Sequence, residues 1–252
     1  ESILFDEGGA ITVSNATQTP EARHRAIDSE PQYIDAPMTA SAAFLVLAIN
    51  PGDQALETVR AVVGSTADLI KDIRGRANGE MFTANVGIGH RVWLTLTGKA
   101  EPSELTAFRE IKGAKHTAIS TPGDLLYHIR AASTDLIIEF EKILLEAFGD
   151  AVTAVDDVAG FRYFDGRDLL EFVDGTANPD GLDLPAATLV GDEDPDHAGG
   201  SYVVVQKYLH NLAAWRAQAA ETQEAIIGRT KFDNVELADA SEGQKSHKTL
   251  CT

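Results

Sequence analysis

Between Ala43 and Phe164 the chain sets out apolar runs and helical repeats in the order strand, helix, strand, strand, helix, strand, and few folds accept that order. Ala43-Phe44-Leu45-Val46-Leu47-Ala48-Ile49 has the length of one buried strand. Asn50-Pro51-Gly52-Asp53 turns the chain into a helix in which Leu56, Val59, Val63, Leu69 and Ile70 approximate helical spacing. Met81–Ile88 alternates as a strand should, while the pattern at Trp93, Leu94 and Leu96 does not decide between helix and strand. Leu125–Arg130 reads as the next strand. Ser133-Thr134-Asp135 starts a helix with capping residues, its inner face formed by Leu136, Phe140, Ile143, Leu144 and Phe148, and Gly149 ends it. Val152–Val155 and Phe161–Phe164 bracket the last strand. This is the split βαβ arrangement of a ferredoxin-like unit with an antiparallel sheet.

Residues 1–36 precede that unit as an arm of polar, turn-prone composition. After a loop-rich stretch from Asp174 to Gly200 the pattern restarts. Ser201–Tyr208 reads as a strand, and Leu212, Trp215 and Glu221–Ile227 supply helix closed by Gly228. The expected architecture is α+β: a first ferredoxin-like domain over residues 37–165, then a second, incomplete one over residues 166–252 that carries the loop.

Charge narrows the partners. The formal net charge of -18 repels phosphate backbones and anionic lipid, which argues against nucleic acid and membrane surfaces. No apolar run approaches the roughly 18 residues of a membrane span. The polar, acidic N-terminus lacks the pattern of a secretory signal, and Cys251 is the only cysteine, so a reducing cytoplasmic setting is expected.

The densest chemical signal is Glu171-Phe172-Val173-Asp174-Gly175-Thr176-Ala177-Asn178-Pro179. An apolar pair delivers one carboxylate to a turn, and Gly175 permits tight backbone geometry or close approach of a flat ligand. Thr176 and Asn178 offer short polar side chains. Flanked by Phe172 and Val173, Asp174 is expected to be partly desolvated, which suits proton shuttling. Spacing alone equally describes an Asx turn capping a loop.

The segment resembles the G-x-x-D-G motif of the dye-decolourising haem peroxidases, particularly their bacterial B-type branch. Gly160-Phe161-Arg162-Tyr163-Phe164, Arg167-Asp168-Leu169-Leu170, Ala198-Gly199-Gly200-Ser201-Tyr202-Val203, Ile227-Gly228-Arg229-Thr230-Lys231 and the upstream Thr121–Arg130 are also similar to that family. The resemblance runs from Pro37 to His247. It implies haem b (iron protoporphyrin IX) as cofactor, hydrogen peroxide and a bulky organic reductant as partners, and symmetric homo-oligomers. Asp174 would be the distal acid/base, and His247, in the Ser246-His247 pair, the iron ligand. Phe172, Val173, Gly175, Thr176 and Asn178 would border the cofactor, and Arg229 would bind a propionate.

Three departures bear on that implication. Glu171 stands where the motif has its first glycine, and Ala177 stands where glutamate is common. The family's distal arginine lies beyond the proximal histidine, and no arginine follows Arg229 in this sequence. Weak haem retention and impaired turnover are therefore expected of the chain as written. The alternative is a non-catalytic haem-binding or degenerate α+β scaffold. Of the other histidines, His128 and His210 read as structural, and His24, His90, His116 and His197 as solvent-facing. Asp192–Asp196 reads as a solvated loop, since it lacks the spacing of a calcium loop. Tyr202, Tyr208 and Trp215 read first as core residues.

Overall fold

A computed structural model describes residues 2–5, 11–14, 32–164, 166–238 and 245–250. Within the arm, β1 (Ser2–Phe5) and β2 (Ile11–Ser14) form an antiparallel hairpin that the poor periodicity there does not announce. The principal sheet contains β3 (Ser41–Ile49), β4 (Phe82–Ile88), β7 (Leu125–Ala131) and β8 (Val152–Phe161) in the order β4-β7-β3-β8, with every neighbour antiparallel. Two helices cross it, α1 (Asp53–Arg76) after β3 and α3 (Thr134–Phe148) after β7. Between β4 and β7 lie the undecided element, now a short helix α2 (Trp93–Thr97), and a small hairpin of β5 (Ile111–Lys112) and β6 (Thr117–Ala118). The α+β class and antiparallel sheet expected from the element order are both present.

One face of the sheet makes the core. Leu45 and Leu47 of β3, Tyr127 and Ile129 of β7 and Phe82 of β4 meet Val59 and Ile73 of α1 and Phe140, Leu144 and Phe148 of α3, all almost fully buried. Phe140 sits between Phe82 and Tyr127, with ring centroids 5.2 and 6.4 Å away. The apolar faces differ slightly from the simplest helical count. On α1 the buried positions are Val59, Val62, Thr66 and Ile73, and on α3 Ile137 replaces Leu136 as a fully covered residue. Thr66 is tolerated because its hydroxyl pairs with the Tyr127 hydroxyl at 3.1 Å. Ser133 occupies the N-cap backbone position of α3, but its side chain makes no cap hydrogen bond and instead donates to Glu80.

The arm's last residues are fastened to the sheet. The buried Arg130 guanidinium donates to the carbonyls of Tyr33 and Ala36 and to Asn85 Oδ1, at 2.7–2.8 Å. His128 behaves as the sequence suggests: it stacks on Phe44 at 4.5 Å, and burial, helped by Arg130, pushes its imidazole down to about 4, so the ring is neutral.

The second half departs from expectation at Ser201–Tyr208. This run joins no ladder among the described residues, and Val203, Val204, Val205, Tyr208 and Leu209 are exposed. Alternating apolar side chains favour a strand only where a partner accepts its N–H and C=O groups. Tyr202 and Tyr208 are accordingly exposed rather than core, and so is His210; Trp215 is half-buried. Helix returns as α4 (Leu184–Thr188), α5 (Leu212–Arg216) and α6 (Ala220–Ile227), followed by the turn α7 (His247–Leu250).

His197 corrects a second expectation. Its ring is largely covered, edge-on to Trp93 at 5.7 Å; Nδ1 lies 2.9 Å from Asp194 Oδ1 and Nε2 3.0 Å from the Ala100 carbonyl. A carbonyl oxygen only accepts, so Nε2 carries a proton, and the carboxylate favours a second proton on Nδ1. Asp194, aided by the carbonyl of Ala100 and by Asp196, raises the affinity of the ring for that proton. The loop is therefore not merely solvated: Asp194 also accepts the Ser103 N–H at 2.8 Å, and with His197 it clasps residues 191–202 to residues 93–104. His24 lies outside the described residues.

Two outcomes follow. Phe140→Ala opens a cavity in the centre of the core, and chemical denaturation should show a loss of about 3–5 kcal/mol; a loss under about 1 kcal/mol would mean that α3 is not seated as described. For His197 the folded affinity is raised above the usual histidine value of about 6.5. Its stabilising contribution is then complete below that pH and fades as pH rises through the raised value. The melting temperature of the parent should exceed that of His197→Gln most at acidic pH, with the gap closing toward alkaline pH; a gap constant across the range would contradict the clasp.

Candidate functional site

The loop that carries Asp174 is built from inside outward. Isolated bridges pair Tyr163 with Arg167 and Arg167 with Val173, bringing these three residues together. Asp168 Oδ1 accepts the N–H groups of Leu170 and Phe172, both at 3.0 Å. Phe172 is buried, edge-on to Trp215 at 6.2 Å, and Trp215 Nε1 donates to the Leu170 carbonyl at 3.2 Å. Phe172 thus anchors the loop instead of bordering an open face, because Trp215 offers it an apolar partner inside the chain. Val173 is half-buried.

Asp174 comes next and is exposed, not partly desolvated, since its neighbour Phe172 turns inward and leaves nothing over the carboxylate. Its backbone N–H donates to the Gly166 carbonyl at 2.8 Å, and Oδ1 accepts the Gly175 N–H at 2.8 Å. Oδ2 has no hydrogen-bond partner among the described residues. Gly175 has φ 73, a backbone conformation that favours glycine, and a Cβ there would come within 3.0 Å of the Asn178 side-chain nitrogen, which would have to shift. Asn178 closes the turn by donating its N–H to the Gly175 carbonyl at 3.1 Å.

The structure brings Arg229 to this loop. Thr176 Oγ1 accepts from Asn234 Nδ2 at 3.0 Å, which joins the Asp174 turn to the hairpin-like turn after α6. Arg229, half-buried in that turn, donates to the Asn234 carbonyl at 2.9 Å and pairs with the Glu236 carboxylate at 3.3 Å. A guanidinium so placed already takes a carboxylate. His247 stands apart from both loops in sequence but packs through α7 against α6, the helix that leads into Arg229. Ser246 is buried and its carbonyl accepts the N–H groups of Thr249 and Leu250 at 3.1 and 3.2 Å, fixing the turn on which His247 is exposed.

Sequence reasoning missed two residues that assemble the site. Arg167 donates to the carbonyls of Glu171, Lys231 and Phe232 at 2.8, 2.6 and 3.2 Å, holding the two loops together. Lys231 places its ammonium 2.6 Å from Glu171 Oε2 and 5.8 Å from the Phe172 ring centroid. Glu171 itself has φ 75, the conformation that favours the glycine of the family motif, and the ammonium of Lys231 holds its carboxyl below the usual range.

Two family models match the chain in succession: "Dyp-type peroxidase, N-terminal" over residues 31–162 and "Dyp-type peroxidase, C-terminal" over residues 165–252. The chain belongs to the Dyp-type peroxidase family. The dye-decolorizing peroxidase of Mycolicibacterium paratuberculosis is 48% identical over 221 residues, covering 88% of this chain and 62% of that relative. Among solved structures, DyPB from Rhodococcus jostii RHA1 is 46% identical with a TM-score of 0.83, covering 87% of this chain and 71% of that one; variants of it have been solved in complex with heme. The encapsulated DyP-type peroxidase from Mycobacterium smegmatis is also 46% identical, at a TM-score of 0.82, covering 88% of this chain and 71% of that one. The chain thus spans a little over three fifths of its first curated relative's length. Among the described residues no helix is long and apolar enough to cross a membrane.

Proposed function

We propose that this chain is the haem-binding, acid/base-bearing part of a peroxidase that uses hydrogen peroxide to oxidise dyes or other bulky organic reductants in the cytoplasm. The observation that supports this most strongly is the Asp174 turn: an exposed carboxylate with one oxygen tied back to its own loop and the other open, followed by a glycine at φ 73. The remaining residues fit haem b by their chemistry. Arg229 already binds a carboxylate and would exchange Glu236 for a propionate. His247 presents an exposed imidazole from a turn fixed by the buried Ser246, and imidazole is a suitable axial ligand. The exposed Val203, Val204 and Val205 offer apolar surface to a porphyrin. On this reading the cofactor lies between the unit of residues 37–165 and that of residues 166–252, with symmetric assemblies of copies as the working form.

Bound haem supplies the iron at which peroxide is reduced and from which oxidising equivalents reach the reductant. The chain's own contribution is proton movement and placement. Oδ2 of Asp174 would take a proton from hydrogen peroxide held at the haem and hand it to the oxygen that leaves as water, the two electrons that cleave the O–O bond coming from the haem. Oδ1 remains on the Gly175 N–H throughout, so the carboxylate need not rotate. Gly175, Thr176 and Asn178 keep the turn rigid, and Arg229 and His247 would hold the haem.

Two substitutions separate the roles. After reconstitution with haemin, Asp174→Asn should retain the Soret band yet lose about 10²–10⁴-fold in peroxide-dependent dye oxidation, read by stopped-flow absorbance. Unaltered turnover in that variant would refute the acid/base assignment. His247→Ala should shift and weaken the Soret band, and imidazole added to the buffer should restore it in part; a parental spectrum would place the axial ligand elsewhere. A parent that shows a stoichiometric Soret band but no dye oxidation would leave a haem-binding scaffold as the reading.

A further inference from the structure

The geometry points to Lys231 as a positioning residue that sets where Asp174 sits, through a closed clamp on Glu171 and Phe172. This rests on the reading of Asp174 as the acid/base, and it concerns a pair, Glu171 and Lys231, that the motif's usual glycine could not form.

The clamp has four sides. Lys231 Nζ is 2.6 Å from Glu171 Oε2 and donates to Gln223 Oε1 at 2.8 Å. Gln223 is buried, and its Nε2 donates to the Trp215 carbonyl at 2.8 Å, which fixes its amide with the oxygen toward the ammonium. Trp215 packs on Phe172, and Phe172 lies under the same ammonium at 5.8 Å. The main chain of Lys231 is fixed as well: its N–H donates to Glu224 Oε1 at 2.8 Å and its carbonyl accepts from Arg167 at 2.6 Å. An ammonium with only 16% of its side chain exposed, held by a carboxylate, an amide and a ring face, is far better placed than a surface lysine.

Glu171 lies three positions before Asp174, and the chain leaves Glu171 at φ 75, where a non-glycine residue is held against its preference. The ion pair adds the side-chain restraint that helps keep it there. Freed of Lys231, Glu171 can relax toward negative φ, which loosens the turn between the seated Phe172 ring and Gly175 and shifts the Asp174 carboxylate. Arg167 on the Glu171 carbonyl and the Asp168 carbonyl on the Glu171 N–H, at 3.0 Å, restrain the main chain, but neither holds the Glu171 side chain. Lys231 therefore acts on the proton-transfer group without touching peroxide or cofactor.

The test uses the haem-free full chain, so that it succeeds or fails independently of whether haem binds. Amide hydrogen exchange at Phe172–Gly175 and the NMR shift of the Asp174 carboxyl carbon are compared in the parent, Lys231→Met, Lys231→Arg and Glu171→Gln, with the amides of Tyr127 and Ile129 reporting global opening. Lys231→Met should raise exchange at Phe172–Gly175 about tenfold with the β7 amides unchanged, and should move the Asp174 resonance. Lys231→Arg should restore most of both. Parental exchange and an unmoved resonance in Lys231→Met would overturn the proposal, as would failure of arginine to rescue. If Lys231→Met opens globally, Glu171→Gln decides: local exchange raised about threefold supports the clamp, and parental exchange rejects it. A Soret titration of the same samples reports the haem reading separately.

Discussion

Everything at the candidate site depends on one buried contact, the Phe172 ring against Trp215. Burying an aromatic ring is worth a few kcal/mol, more than any single hydrogen bond in the loop, and it fixes the residue two positions before Asp174. Because Phe172 turns inward against Trp215, its ring does not cover Asp174, which stands exposed. The same contact carries the Leu170 carbonyl to Trp215 Nε1 and Phe172 beneath Lys231, so an apolar anchor and a polar net share one frame. The carboxylate is displayed on a surface because its neighbour is not.

That frame is not part of the principal sheet. The first unit's core is closed by α1 and α3 over one face, and its contacts with the second half include the Trp93 ring on His197 and polar ties: His197 with Asp194 to residues 100–103, Tyr202 Oη accepting the Glu104 N–H at 3.1 Å, and Lys207 to Asp156 on β8 at 3.2 Å. Polar ties of this kind define orientation without much stabilisation. The site residues are likewise held by hydrogen bonds between turns: Thr176 to Asn234, Arg167 to three carbonyls, Arg229 to Asn234 and Glu236.

The division between what could be read in the sequence and what could not follows the same line. Strand and helix periodicities over Ala43–Phe161 reflect burial against a common core, so the sheet, its antiparallel sense and both long helices were legible from side-chain pattern. Asp174 and its glycine were legible as a motif. Ser201–Tyr208 misled because alternation records a preference for a pleated surface and says nothing about whether a partner strand is there. The exposure of Asp174 depended on Phe172 meeting Trp215, 43 positions later by subtraction, which no local pattern encodes. His197 and Lys231 were hidden for a related reason: each is an ordinary surface residue by sequence, and each owes its role to groups brought to it by distant turns. Glu171 at φ 75 could have been suspected from the glycine it replaces, but its counter-charge could not.

The most direct measurement is a crystal structure of the chain loaded with haemin. The account predicts iron bound to the His247 imidazole on one face of the porphyrin and the Asp174 carboxylate over the other, with a propionate on Arg229. Haem held elsewhere, or His247 and Asp174 opening onto different cavities, would contradict it.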